Sequence, residues 1–317
     1  MNEPTVLVLG GSGFIGRHAV AALLVRGCKV LIGSRRPGQI EHRLPAEARC
    51  CPRLALRFEY LTTREAWSDV IAKADVILNC VGILRSRGRE TYDALHHRAP
   101  AALAAACRDS GKRLIHVSAL GLDKSCRSGF LRSKLDGEQA LRASGADWII
   151  VRPSLLDGEG GYGAKWLRRV ARWPIHPLPS DSVGRIAVLD VRDLGEALAE
   201  LSTCPEEEAT ETREFDLGGM HTPTLAEYLA ALRRSHFRRP AMRISIPGFL
   251  ARLGAHFCNL LRVTPYSFGH WELLRRDNCP KHNRLPELLG RSARAVGLHR
   301  GHAVAGQRQT PMANTAR

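Results

Sequence analysis

The chain has 317 residues, 44% hydrophobic and 25% charged, which fits one large α/β domain or one domain with a smaller lobe and excludes a fibrous or low-complexity protein. No apolar run approaches the roughly 18 residues a spanning helix needs, and with the first strand beginning almost at Met1 no secretory signal is expected. The formal net charge of +16 is unusual, but the basic residues are dispersed, and no helix-turn-helix, finger or aromatic RNP pattern accompanies them. Specific nucleic acid is therefore not expected, and an anionic membrane surface or an acidic protein partner is. The implied location is cytoplasmic, or peripheral on the cytosolic face of the inner membrane.

In chain order, Val6 to Leu9 form a short apolar run that ends in glycine, as a buried parallel strand does. Phe14, Ile15, Ala19, Val20, Leu23 and Leu24 then recur at helical spacing, so Gly10, Gly13 and Gly16 lie in a strand-to-helix turn. The first glycine permits a conformation closed to other residues, the second lets backbone approach a pyrophosphate, and the third lets helix and strand pack closely. The helix start at Phe14, Ile15 and Gly16 offers free N–H groups and a positive dipole end for the phosphates. Both flanks supply the context that the glycine pattern requires, so it predicts a bound dinucleotide.

A second strand, Lys29 to Ile32, runs into Gly33, Ser34, Arg35 and Arg36. An NAD-selective site places a carboxylate here for the ribose 2′-hydroxyl. Ser34, Arg35 and Arg36 offer instead a hydroxyl and two planar cations, which suit a 2′-phosphate. NADP(H) is the expected cofactor, with NAD(H) as the alternative. Leu54 to Phe58 predicts a third strand, Arg64 to Lys73 a helix, and Asp75 to Cys80 a fourth strand. That strand closes at Asn79, Val81 and Gly82 beside the cofactor. Thr91 to Ser110 reads as one alanine-rich helix, Arg113 to Ser118 as a fifth strand, and Trp148 to Val151 as a sixth that runs into Pro153, another expected cofactor contact. Strands alternating with helices predict a Rossmann-type, doubly wound parallel sheet at 1–157, followed by a small interleaved α/β lobe at 158–287.

The segments GGSGFIGR, NCVG, HVSALG, SKLDGE and WIIVRPS occur in the order typical of extended or atypical short-chain dehydrogenases/reductases, the NAD-dependent epimerase/dehydratase type. The chain resembles that superfamily over about residues 5–280. SRRP, NCVGIL, VRPSLLDGEGG and WELLRRDN at 271–278 make it most similar to the atypical branch that holds the nucleotide-binding accessory subunit of respiratory complex I and its bacterial relatives. The resemblance implies Lys134 at the nicotinamide ribose, Ser118 near the substrate oxygen, and a respiratory or quinone-related protein partner. It also implies a tyrosine four residues before Lys134, on the same helical face. Position 130 is phenylalanine, which transfers no proton, and Ala119 stands where many members carry the working serine. A positioned general acid is worth about 10² to 10⁴ in rate. The departure therefore argues for a protein that holds its cofactor in a structural or redox-sensing role. The alternative is an active NADP-dependent oxidoreductase or isomerase on a small or lipid-like carbonyl, with Tyr92 or Tyr162 approaching from another loop. After the third strand, where the family usually shows Asp, this chain has Glu59 and Tyr60, so either Tyr60 stacks on the adenine or cofactor affinity is reduced.

Farther on, Trp166 to Trp173 predicts a basic helix ended by Pro174. Ile186 to Leu189 predicts a strand, Asp190 the cap of a helix to Leu201, and Thr224 with Glu227 a capping box. Phe215 to Gly219 and the following helix fit a substrate-covering lobe. Phe249, Leu250, Leu253, Phe257, Leu260 and Leu261 share a face of a basic amphipathic helix at 246–262, which can lie at a membrane interface or cover the core of the lobe, the second being expected on general grounds. No acidic residue follows Glu287, while Arg291, Arg294, Arg300, Arg308 and Arg317 persist, so 288–317 reads as a basic disordered tail. The nine cysteines form no framework and the thirteen histidines show no metal spacing. Reduced thiols, packing roles for His96 and His97, and no bound metal are expected.

Overall fold

The computed structural model describes residues 3–39, 44–204, 212–235, 237, 239–261 and 268–296. Strand β1 (Thr5–Leu9), helix α1 (Gly16–Val25), β2 (Lys29–Ser34), β3 (Arg53–Ala55), α2 (Glu65–Ile71), β4 (Val76–Asn79), α3 (Ala99–Ser110), β5 (Arg113–Val117), α4 (Gly129–Ala143) and β6 (Trp148–Pro153) follow in order. The second part of the chain contributes β7 (Leu156–Asp157), α5 (Tyr162–Ala171), β8 (Ile175–Pro179), β9 (Leu189–Asp190), α6 (Val191–Thr203), β10 (Glu214–Leu217), α7 (Leu225–Arg234), β11 (Met242–Ile246), α8 (Gly248–Leu261), α9 (Phe268–Leu274) and α10 (Leu285–Leu289).

Seven strands form one parallel sheet in the order β10-β6-β5-β4-β1-β2-β3. Alternation along β1 decides which layer each side chain joins. Val6 and Val8 pack with Ala19, Val20 and Leu23 of α1 and Leu194 and Leu198 of α6. Leu7 and Leu9 pack on the other face with Trp67 of α2, Leu103 of α3 and Leu141 of α4. The expected doubly wound sheet is therefore present. A separate cluster joins Leu167 and Val170 of α5 to Tyr228, Leu229 and Leu232 of α7 as the core of the small lobe.

Several boundaries differ from the sequence expectation. The third strand shortens to three residues because Phe58–Tyr60 turns into a 3₁₀ segment. The basic helix starts earlier, at Tyr162, and Ile186–Leu189 yields only the two-residue β9. Phe215–Leu217 does not cover the lobe; as β10 it pairs with β6 and completes the main sheet. The expected helix of 91–110 begins as a π-helical turn, Asp93–Arg98, before α3. Pro100 lacks an N–H and cannot donate to the His96 carbonyl four residues back. That carbonyl instead lies against Gly137 of α4, where a Cβ would overlap it.

Asp190 and Thr224 cap α6 and α7 as expected, the latter in a complete capping box. The nine cysteines are free, with Cys28, Cys107 and Cys126 buried. Arg291 and Arg294, assigned to the tail from sequence, are instead docked. The fully buried Asp193 carboxylate accepts from Arg291 Nη2 at 2.7 Å and from the Arg294 backbone N–H at 2.6 Å, and Arg294 Nη2 reaches Glu196 at 2.8 Å. Arg300, Arg308 and Arg317 lie outside the described residues.

Gly137→Ala forces backbone apart at the contact between the π-turn and α4. It is expected to cost about 2–3 kcal/mol in urea unfolding, as overpacking does. A loss under about 0.5 kcal/mol, the level of an ordinary surface change, would show that the approach is not required.

Candidate functional site

The site lies at the carboxyl ends of the central strands, where a doubly wound sheet opens a crevice. Gly10 leaves β1 at φ +71°, and its N–H donates to Gly33 O at 2.9 Å. A Cβ on Gly16 would overlap Gly10 O and sit 2.7 Å from Gly11 Cα, so only glycine lets α1 start this close to the strand. Gly13 differs: the only neighbour its Cβ would meet is Gly10 O, at 3.0 Å, so its outer side is open. No side chain caps the start of α1 and no acidic residue stands in its first turn. The turn at Phe14 and Ile15 therefore presents backbone donors and a positive dipole end to an anion. Phe14 packs on His18 (6.2 Å between ring centroids), and Arg17 donates to Glu159 O, bringing the 158–161 loop over this turn. The glycines of that loop permit the close packing, since a Cβ on Gly160 would overlap Arg17 and one on Gly161 would overlap the Phe14 ring.

Beyond β2, a cavity of about 440 Å³ is lined by Arg35, Arg36, Arg57, Arg87 and Arg89 with Glu59 and Glu90. Arg35 pairs with Glu90, and Arg57 with Glu59 at 2.9 Å. The half-exposed Tyr60 ring sits under two of these cations, with Arg57 Cζ 4.6 Å and Arg89 Cζ 5.5 Å from its centroid. Five guanidinium groups face two carboxylates here, an excess of positive charge. Ser34 is 3% exposed, and its Oγ is buried without a hydrogen-bond partner. Sequence reading found Arg35 and Arg36 through the motif. It missed Arg57, Arg87 and Arg89, which come from loops distant in sequence.

Toward the middle of the sheet the polar groups turn inward. Asn79 Oδ1 accepts from Val81 N at 3.0 Å, and Asn79 Nδ2 lies 3.0 Å from His116 Nδ1. Because that amide nitrogen is a donor, His116 Nδ1 accepts, and its proton sits on Nε2. His96 Nε2 accepts from Ile83 N at 3.1 Å, so Nδ1–H faces Ser133 Oγ at 3.0 Å, which donates to Phe130 O. Asn79 and His96 thus spend their hydrogen bonds holding the 80–83 loop. Val81 and Gly82 stand on that loop, and the side of Gly82 where a Cβ would project is open except for His96 Nε2 at 3.9 Å. Pro153 ends β6, its carbonyl accepting from Leu120 N at 3.0 Å.

Lys134 is buried in α4 near both histidines. Burial pulls its ammonium down to about 8 against the upward pull of Glu138. Burial, Lys134 and His116 keep His96 well below its ordinary range, and burial with Lys134 takes His116 to about 3, so both rings are neutral. Burial raises the Glu138 carboxyl, yet the Arg152 hydrogen bonds and charge, then Ser118 and Arg142, outweigh it and hold Glu138 below the ordinary range. Ser118 Oγ is close enough to exert that pull without a hydrogen bond of normal geometry. Arg152 grips Glu138 with Nε at 2.8 Å and Nη2 at 2.7 Å, and reaches Glu214 at 2.6 Å.

One helical turn before Lys134, Phe130 sits in an aromatic cluster, with centroids 5.8 Å from Tyr92, 5.6 Å from His96 and 6.2 Å from His270. Lys134 Nζ lies 5.9 Å from the Phe130 centroid. The Tyr92 hydroxyl donates to Leu84 O at 2.8 Å, and Tyr162 is exposed. The late 271–278 motif docks here as well. Glu272 accepts from the N–H groups of Arg127 and Ser128 at 2.8 and 3.0 Å, and Asn278 joins Ser154 and Leu120 O. Among the described residues no group of three or more metal donors occurs.

A family model described as NAD(P)H-binding matches residues 10–188. "Ceramide reductase" of Caulobacter vibrioides is 30% identical over 205 residues, covering 63% of this chain and 61% of that protein. "NADH dehydrogenase (ubiquinone) 1 alpha subcomplex subunit 9, mitochondrial" of Arabidopsis thaliana is 26% identical over 249 residues, covering 77% of this chain and 61% of that protein. The chain thus spans about three fifths of the length of these relatives. The solved structure of MoeE5 with UDP-glucuronic acid and NAD superposes at a TM-score of 0.64, with 18% identity and 92% and 94% of the two chains covered, which bears on the fold alone.

Lys134→Met is expected to raise unfolding free energy at pH 7 by up to about 3 kcal/mol, because it removes a buried charge. The folded pKa of about 8 lies below the ordinary 10.5, so the unfolded chain binds more protons across that window and wild-type stability rises with pH there. The advantage of the variant should therefore fade between about pH 8 and 10.5. A pH-independent difference would contradict a charged, buried Lys134.

Proposed function

The chain belongs to the NAD(P)H-binding family, and on that premise we propose that it holds NADP(H) as a structural or redox-sensing element of a respiratory or quinone-related assembly. The observation that carries this reading is a complete cofactor cradle beside an aromatic cluster at the position where a proton donor is needed. In it, Gly10, Gly13 and Gly16 with the N–H groups of Phe14 and Ile15 bind the pyrophosphate. Arg35 and Arg36, joined by the neighbouring arginines, take the 2′-phosphate, with Arg35 shared between phosphate and Glu90, and Ser34 supports them from within β2. Tyr60 offers its ring to the adenine. Val81, Gly82 and Pro153 line the path toward the nicotinamide, where Lys134 binds the ribose hydroxyls and Asn79 acts through the loop it holds.

A bound nicotinamide cofactor supplies a hydride donor or acceptor. Reduction of a carbonyl also needs a proton at the oxygen, and Phe130 has none to give. Tyr92, packed on Phe130, commits its hydroxyl proton to Leu84 O. The complex I subunit among the relatives supports the assembly half of the proposal.

A second reading, an active NADP-dependent oxidoreductase or isomerase on a lipid-like carbonyl, is favoured by one residue and one relative. Lys134 is retained and buried, with Ser118 also buried, and the relative named ceramide reductase points to a lipid-like substrate.

Calorimetry with NADPH and NADH tests the cofactor assignment. NADPH should bind the wild-type chain at least about tenfold more tightly, since one charge-assisted hydrogen bond is worth about 1.5–3 kcal/mol. Arg35→Ala/Arg36→Ala should remove that preference while leaving NADH within about twofold. Equal affinities in the wild type would overturn it. With a long-chain ketone present, NADPH oxidation seen only in Phe130→Tyr supports the non-catalytic reading, and wild-type turnover supports the second.

A further inference from the structure

Helix α8 is packed the wrong way round for a helix that covers a core. Its small residues Ala251 and Ala255 are buried, against Trp271 and Phe268 of α9 and Ile246. Its large apolar residues face out: Phe249 is 71% exposed, Leu253 65% and Phe257 59%, with Leu250 at 45%. At 100° per residue these four fall within an arc of about 100°, and Ala251 and Ala255 lie on the opposite side. The side chains of Leu260 and Leu261 lie outside the described residues. The expectation that this face covers the lobe is thus corrected: among the described residues the bulky stripe at Phe249, Leu250, Leu253 and Phe257 covers no core.

The strand that leads into α8 extends the same character. β11 pairs in parallel with β8, setting Met242 opposite Ile175 and Ile244 opposite Pro177. Met242, Ile244, Ile175 and the preceding Trp173 are all exposed. Around this apolar surface arginines predominate, although Asp181 lies against Gly248 at the start of α8 and Glu227 is near enough to Arg243 to feel its charge. Between Glu227 and Glu272 the sequence holds no carboxylate side chain and seven arginines. Arg243 and Arg252 are exposed among the apolar side chains, with His256 beside Phe257.

We propose that α8 and β11 seat the protein on an anionic lipid bilayer, with Phe249, Leu253 and Phe257 entering the acyl boundary and Arg243 and Arg252 meeting the headgroup phosphates. An apolar stripe bordered by cations is the pattern of a helix that lies in the membrane interface. It enters no further, because among the described residues no helix is long and apolar enough to cross a membrane. A second copy of this chain fits the surface poorly. A two-fold contact sets the same patch against itself, and Arg243 and Arg252 would then face their own copies across it. The inference goes beyond the cofactor reading and stands without it. Its structural link to the site is α9, which carries Phe268 and Trp271 under α8 and His270 against Phe130.

Co-sedimentation of the full chain with vesicles tests it. Vesicles rich in phosphatidylglycerol should bind the protein, phosphatidylcholine alone should bind it at least about tenfold more weakly, and salt should weaken binding. Phe249→Ser/Leu253→Ser/Phe257→Ser should lower partition at least about tenfold. Its melting temperature and nucleotide affinity should stay at wild-type values, because these side chains touch solvent rather than core. Arg243→Gln/Arg252→Gln should flatten the salt dependence. No binding to anionic vesicles in low salt would overturn the proposal, as would binding that the triple serine variant leaves intact. So would a wild-type dimer that ignores vesicles and that the triple variant converts to monomer.

Discussion

A lysine enclosed at the carboxyl end of a parallel sheet has to be compensated, and here the compensation organises three elements. Lys134 lies among neutral His96 and His116, so Glu138 is the carboxylate that holds its charge up. Glu138, only 1% exposed, is itself gripped by Arg152 and Arg142, and both of these reach Glu214. The chain of charges runs from the middle of α4 through β6 to the edge strand β10. Breaking a buried pair by removing one partner costs about 3–5 kcal/mol, so this network fixes α4, and with α4 the place where Phe130 stands. The π-turn over Gly137 fixes the same helix from its other side. Phe130 is therefore placed by contacts on two sides of α4.

Much of this was legible in the residues. The glycine turn, the alternation of strand and helix, the caps at Asp190 and Thr224 and the four-residue interval between Phe130 and Lys134 are local patterns, and local patterns survive folding. What stayed hidden depends on what meets what. The pairing of Arg35 with Glu90 joins residues 55 apart, and the docking of Arg291 and Arg294 on Asp193 joins residues about a hundred apart. A basic run without carboxylates reads as a solvated tail until the acidic partner on α6 is placed beside it. The π-turn depends on a proline whose effect on the His96 carbonyl needs the glycine across the interface to take shape. Helix α8 was legible as amphipathic, but amphipathicity alone does not say which face is turned inward, and here the small face won because α9 approaches closely only over alanine.

The molecule divides between a crevice equipped for a dinucleotide and a surface unlike the rest of the fold. The cofactor half uses backbone donors and arginines at the ends of β1 and β2, and its open sides are at Gly13 and Gly82. The reacting end is lined by rings where a hydroxyl would be needed for carbonyl chemistry. Phe130 stands at that end with Tyr92, His96 and His270 around it. The same fold hosts many chemistries, so the weight rests on particular side chains rather than on the sheet.

Native mass spectrometry of the purified full chain tests the central claim most directly. The account predicts that each chain carries, or takes up and retains, one NADP(H), and that added NADH does not displace it. A chain that arrives empty and retains no NADPH after incubation with excess nucleotide would contradict it.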